Sequence, residues 1–375
     1  MPKKPVRPAR NSVFEVLRII AMLLILVSHY SEHGYVVDGL GYSYIQNTFN
    51  RWLLPIFNTG EVGVILFVIL SGYFLVDRQI SLRRILVLAG EVWFYSVLVF
   101  TVSCLVTHSF HIPDLLKSLF PTLYGQYWFF TAYILLMCFT PFLNLLLRQL
   151  CRSRSHYYAF LAVALFWWSL LPTFLDASTK ASSLGLFALF YAIGAGIRKG
   201  FFDVKSEKAR LMWVVLLSLL WALIPIVMDL AGQLFLPFLA RHSTHFFAVF
   251  SILPIALAAA IVAYTEKRPP FTSETINAVA AHVFAVYLLT DHPAIRMILW
   301  KRIFRCELFA ESPWLILHLL GCVAGLFCAG VLIDTLRTCT IEPLFLRLLD
   351  RLESSRWYAA LQDKLSLAFP ADSEN

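Results

Sequence analysis

The sequence predicts an all-α, polytopic integral membrane bundle of about ten transmembrane helices. Three observations carry this. Hydrophobic residues make up 59% of the 375 residues and charged residues only 14%, with a mean hydropathy of +0.72; a soluble domain carries about 25% charged residues. Apolar runs of roughly 15–25 residues recur along the whole chain, the length a helix needs to cross the hydrocarbon core. Those runs do not alternate apolar and polar residues, as the strands of a membrane barrel would.

The spans fall at about 13–30, 60–76, 85–106, 124–147, 157–175, 182–197, 211–230, 246–264, 276–292 and 313–336. The first follows the basic stretch MPKKPVRPAR, which resembles the n-region of a signal peptide. Glu15 and Arg18 interrupt the apolar segment behind it and no small-residue cleavage site follows, so it reads as a retained span. The sixth span is short, and the ninth is interrupted by Asn277, His282 and Asp291. With the N-terminus inside, 22 Lys and Arg residues fall on inner segments, 8 on outer ones, and Arg18 lies within a span. That bias places both termini in the cytoplasm of a multi-pass cell-membrane protein. The chain then divides into a basic N-terminus (1–12), a membrane domain (13–336) and a cytoplasmic tail (337–375). The tail mixes Leu, Phe and Trp with Arg and Asp, which reads as an amphipathic surface helix with an anchoring role.

Composition also excludes. The net charge of +8 follows the inner loops and does not point to nucleic acid. The seven cysteines form no CxxC pair, and the ten histidines show no HExxH or other metal spacing, so no metal is expected. GxSxG and P-loop motifs are absent, against a serine hydrolase or an ATP-driven pump. Gly321 and Gly325 form a GxxxG, a common helix-packing pattern. Oligomeric state is not legible.

The chemistry concentrates in the first span. Arg18 and His29 are eleven residues apart, which in a helix is ~16 Å of rise and three turns plus about 20°, so they share a face. Glu15 lies three residues before Arg18, within ion-pair reach, and His33 extends the face if the helix continues. Snorkelling of Arg18 and end-capping by His29 explain each residue alone. The pair together suits an anion-binding guanidinium at one end and a general base at the other. An acyl-CoA, phosphate-rich with a long arm, would meet the first, and a hydroxyl acceptor the second.

These residues resemble the signature of the membrane acyltransferase-3 family, an Arg, ten residues, then a His. FEVLRIIAMLLILVSHYSEHG fits the start of that family. GEVGVILFVILSGYFL (60–75) is similar to its second-span motif at Ser71, Gly72 and Tyr73. YWFFTAYILLMCFTPFLN (127–144) is similar to its aromatic fourth span around Trp128, and INAVAAHVFAVYLLTDHPAIR (276–296) to its late YLxH segment. The resemblance covers about 10–336. It implies a membrane acyltransferase domain that moves an acyl group, acetyl by expectation, from cytoplasmic acyl-CoA to a hydroxyl of an extracytoplasmic or lipid-linked saccharide. By the same resemblance His29 is the base and Arg18 the donor-side residue. Arg84 and Ser71 join Arg18 on the donor side; His33, Trp128 and His292 face the acceptor. Two departures stand out. Val87 occupies the position three beyond Arg84 where many relatives carry a second Arg, so that either Arg83 compensates or donor binding differs. Thr290 occupies the usual late histidine position, with His292 two residues on as a substitute.

Other residues weigh less. Glu91 is expected to pair with Arg18 or Arg84, while His282 and His318 read as satisfied core histidines. Tyr42, Tyr44, Trp52, Tyr124 and Tyr127 are interface anchors or sugar platforms. The competing function class is a transporter or flippase for a lipid-linked saccharide, for which the polar stripe of the first span is a permeation path. The chain lacks the internal repeat many transporters carry.

Overall fold

The computed structural model describes residues 10–36, 49–79, 81–175 and 183–369; Tyr42, Tyr44 and the start of the basic N-terminus lie outside them. Among the described residues the regular elements are helices, with no strand. Eight helices are long and apolar enough to cross a membrane, and two shorter apolar ones, Ser183–Arg198 and Glu274–Thr290, complete the set anticipated from the sequence. The chain is a multi-pass membrane protein.

Helix α1 (Ser12–Glu32) starts where Asn11 accepts the Val13 N–H, with Glu15 in its first turn complementing the helix dipole. Its turns persist to His33, whose N–H bonds the His29 carbonyl, so His33 does extend the face. Helix α2 (Gly60–Leu75) is apolar on all sides, which fits a helix surrounded by others. Two-thirds of its span, 67%, is buried inside the protein, against 17% for the peripheral Glu207–Leu234. Helix α1 packs on one side of α2. Helix α3 (Leu82–Thr107) follows, capped by Ser81, and a short α4 (Ile112–Leu119) covers its far end. Helix α5 (Trp128–Leu150) starts four residues later than the sequence suggests, because 120–127 is taken up by turns.

Helix α6 (Arg154–Leu165) runs through a π-helical turn (Phe166–Leu170) into Leu171–Leu175. Helix α7 (Ser183–Arg198) is short but central. It crosses α2 so closely that a Cβ on Gly72 would lie 2.0 Å from the Tyr191 carbonyl oxygen, and one on Gly194 2.0 Å from that of Ile69. Asn144 of α5 ties the three together. Its amide donates to the Leu75 carbonyl at 3.0 Å, and Tyr191 donates to its oxygen at 2.8 Å. Helix α8 (Glu207–Leu234) lies at the periphery, while α9 (Ile252–Glu266) packs between it and α2.

The ninth span is two helices, α10 (Glu274–Ala281) and α11 (Val283–Thr290), broken at His282. The break turns the His282 ring to Asp334 of α12 (Leu315–Thr340), 2.7 Å away. Asp334, 1% exposed, also accepts from Tyr95 at 2.7 Å and from Arg337 at 2.5 Å. Arg337 reaches Glu91 at 3.7 Å and Glu342 at 3.1 Å. Glu91 therefore pairs with Arg337, not with Arg18 or Arg84; its side of α3 faces α12. A Cβ on Gly321 or Gly325 would have nothing within 4 Å, so among the described residues this GxxxG packs against no other helix.

The tail is two helices, α13 (Glu342–Glu353) and α14 (Arg356–Ala368), rather than one. Arg83 holds it, donating to Asp350 at 2.8 Å and Glu353 at 2.5 Å, so Arg83 is spent on the tail and does not stand in for the absent second Arg. Phe369 reaches Phe142 of α5, with ring centroids 4.9 Å apart.

Candidate active site

Position on α1 decides the site. Arg18, Met22, Ile25 and His29 follow the i, i+4, i+7, i+11 pattern of one helix face. At the basic end Arg18 pairs with Glu15 at 2.6 Å, and its guanidinium lies over the Phe74 ring, 5.5 Å from the centroid. The Arg18 side chain keeps 31% exposure, so it remains open to a further anion. At the other end His29 is 8% exposed.

Around His29 the other elements converge. Its Nδ1 lies 3.5 Å from Thr290 Oγ. The Thr290 hydroxyl donates to the Val286 carbonyl at 2.9 Å, which leaves its oxygen to accept from Nδ1–H. That tautomer frees Nε2 as an acceptor. The His33 ring is 5.0 Å from that of His29, and its Nε2 lies 3.1 Å from Asp291 Oδ1. Arg296 sits 3.5 Å from the same carboxylate oxygen. By residue type His29, His33 and Asp291 suit a divalent cation, with ligand atoms within 4.8 Å of one another. The Arg296 charge on Asp291 opposes one.

His292 lines the far cavity. It is 2% exposed, and the Ala294 N–H donates to its Nδ1 at 3.1 Å. A neutral imidazole has one acceptor nitrogen, so Nε2 carries the proton. The Gln126 amide atom 2.5 Å from Nε2 is then the oxygen, and the amide nitrogen donates to Ser96 Oγ, 2.9 Å away. Both ring nitrogens are occupied. His292 holds the wall of the site and has no lone pair to act as a base in place of the missing late histidine.

Three cavities line up along α2 and α5. At the basic end a groove is lined by Leu75, Arg78, Arg84 and Met137. Beside His29 is a small cavity of about 40 Å³, and at the far end an open one of about 540 Å³. The far one contains Tyr124, Gln126, Asp291, His292 and Arg296. Trp128 lines both of the last two, and so is their common wall. Between the groove and the His29 cavity, Ser71 and Tyr133 share a 3.0 Å hydrogen bond. The spacing explains the alignment. Phe67, Ser71 and Leu75 on α2, and Phe129, Tyr133 and Met137 on α5, are facing i, i+4 rows.

The sequence-derived residues thus separate into two groups. His29, His33, Trp128 and His292 meet at the far half. Arg18, Ser71 and Arg84 lie toward the basic end, with Arg84 exposed at the start of α3. Asp291, Gln126 and Tyr133 were not singled out from the sequence; only the matching i, i+4 rows hint at Tyr133. The arrangement can accept a proton at His29 Nε2 between an apolar hole and a polar, aromatic-walled basin.

No curated protein matches the chain, and no solved structure does. The Acyltransferase domain family profile matches residues 11–334, nearly the whole chain and the whole of the site described above. The chain belongs to the acyltransferase-3 family, and it is a membrane acyltransferase.

Proposed function

We propose that this enzyme moves an acyl group, acetyl in the first instance, from cytoplasmic acyl-CoA to a hydroxyl of an extracytoplasmic or lipid-linked saccharide. Both termini lie in the cytoplasm of the cell membrane on this reading, which follows the excess of Lys and Arg at one end of the bundle. The observation that carries it is His29 on the wall of a small apolar cavity that shares Trp128 with an unlike, polar far cavity. The basic-end groove with Arg84, and Arg18 beyond it, suits the anionic donor. The far cavity falls within the 300–1,000 Å³ usual for small-molecule sites. Its carboxylate, amide, guanidinium and indole match the hydroxyls and apolar face of a sugar ring.

His29 Nε2 takes the proton of the acceptor hydroxyl. The oxygen attacks the thioester carbonyl carbon, a C–O bond forms, and the C–S bond breaks with its electron pair leaving on sulfur. The proton then passes from His29 to the departing thiolate, which leaves as the free thiol. His33 and Asp291 hold the rim through which the hydroxyl approaches, and Thr290 holds His29 in the tautomer this step needs. Ser71 and Tyr133 must part to admit the donor arm. A saccharide permease would need a passage wider than the cavity beside His29 offers.

The test uses the purified full-length protein, labelled acetyl-CoA and a surface glycan acceptor. The wild type transfers label, and His29→Ala loses about 10²–10⁴-fold in rate. Undiminished transfer by His29→Ala removes His29 as the base. A wild type that moves lipid-linked saccharide without consuming acyl-CoA establishes the transporter instead.

A further inference from the structure

The cavity beside His29 has a size and lining that the transfer step alone does not require. Six of its lining side chains, Met22, Ile25, Val64, Phe67, Phe129 and Phe284, are apolar. Only His29, Trp128 and Tyr287 of its walls carry polar side-chain atoms. Its volume is about 40 Å³. A water-sized group needs roughly 10–15 Å³ of such space, so the cavity accepts about three non-hydrogen atoms. Those are the carbonyl carbon, oxygen and methyl of an acetyl group. The Phe67 and Phe129 rings, 6.4 Å apart and inclined at 63°, close one side, and Tyr287 stands 5.8 Å from Phe129 on the other. Met22, Ile25 and Val64 are buried in the α1–α2 contact, so the third side is backed by packed helices and does not yield to a longer chain.

We infer that this cavity is the acyl site and gauges the donor's acyl chain, with Phe67 as the residue that limits it to two carbons. The inference rests on the acyl-CoA reading above and specifies which acyl groups that site takes. Phe67 is the natural limit. It is only half-buried, it lies one turn from Ser71 on the donor's path, and its ring meets that of Phe129 at the cavity wall. A methyl group beside His29 leaves the carbonyl carbon within the reach of a hydroxyl coming past Trp128. An alkyl tail placed there collides with the Phe67 and Phe129 rings and displaces the carbonyl from that line.

The experiment compares acetyl-, butyryl- and octanoyl-CoA as competing donors for the full-length protein, in the wild type and in Phe67→Ala, Phe67→Leu and Val64→Ala. One methylene in a fitted apolar pocket is worth about 10–200-fold in selectivity. The wild type therefore favours acetyl over butyryl by at least about 100-fold. Phe67→Ala lowers that ratio by about tenfold or more, with Phe67→Leu and Val64→Ala intermediate. If Phe67→Ala does not fold, the two milder variants carry the comparison. A wild type that uses acetyl-CoA with an acetyl-to-butyryl ratio near one, or a ratio that no variant moves, overturns the gauge and leaves the acyl-CoA reading standing. A wild type that consumes none of the three donors overturns the reading and the gauge with it.

Discussion

Thr290→Val tests whether the second ring nitrogen of His29 matters. Valine keeps the shape of threonine and removes only the hydroxyl. The structure sets the size of the effect. Thr290 Oγ lies 3.5 Å from His29 Nδ1, the long end of the hydrogen-bonding range, while its own proton is committed to Val286 at 2.9 Å. A neutral hydrogen bond contributes about 0.5–1.5 kcal/mol, and one this long belongs at the bottom of that range, about 0.5–1 kcal/mol. Losing it lets the tautomer with Nε2 protonated compete, and a bias of that size corresponds to a two- to fivefold fall in kcat at about 1.4 kcal/mol per decade. KM for both substrates stays put, because Thr290 touches neither cavity's contents. The assay is steady-state transfer with donor and acceptor varied separately. Thr290→Ser restores kcat, since serine keeps the oxygen. An unchanged kcat in Thr290→Val would falsify the tautomer argument. A loss beyond about 100-fold would place Thr290 at the reacting atoms instead.

Two further outcomes concern what holds the site in place. Arg337→Ala strips a cation from Asp334 and Glu91, and breaking a buried pair from one side costs about 3–5 kcal/mol; thermal unfolding in detergent reads it, and a change under about 0.5 kcal/mol contradicts the buried network. Gly72→Ala drives a methyl into the Tyr191 carbonyl and lowers the yield of folded protein, by about 1–3 kcal/mol of overpacking or more, whereas Gly321→Ala, whose Cβ meets open space, leaves the yield unchanged. Equal yields from the two variants contradict the α2–α7 crossing.

Much of this was legible in advance because the bilayer restricts what a chain can do. Apolar run lengths located the spans, and helical periodicity put Arg18 and His29 on one face. What escaped was anything set by a partner helix. Glu91 pointed nowhere in particular until α12 was beside it, because a carboxylate in an apolar run has many possible cations and the sequence does not say which helix is its neighbour. His282 was visible as an interruption of the ninth span, but its partner Asp334, 52 residues on, was not. His292 looked like a spare base because its occupied lone pair comes from a backbone N–H in the turn that follows, and turn geometry is not written in residue type. The substitution of Thr for His at 290 looked like a defect in the motif; beside the His29 ring it is a hydrogen-bond acceptor.

Trp128 and the Ser71–Tyr133 pair have a consequence for the membrane in which the enzyme sits. Trp128 walls the His29 cavity from the far basin, and the Ser71–Tyr133 bond lies between that cavity and the basic-end groove. On the proposed reading, ions still meet Trp128 while the donor arm occupies the Ser71–Tyr133 side. An acyl group, on the same proposed reading, passes from one side to the other while these two constrictions stand between the two solutions. On that reading the insulation of the bilayer at this site depends on an indole ring and one hydrogen bond.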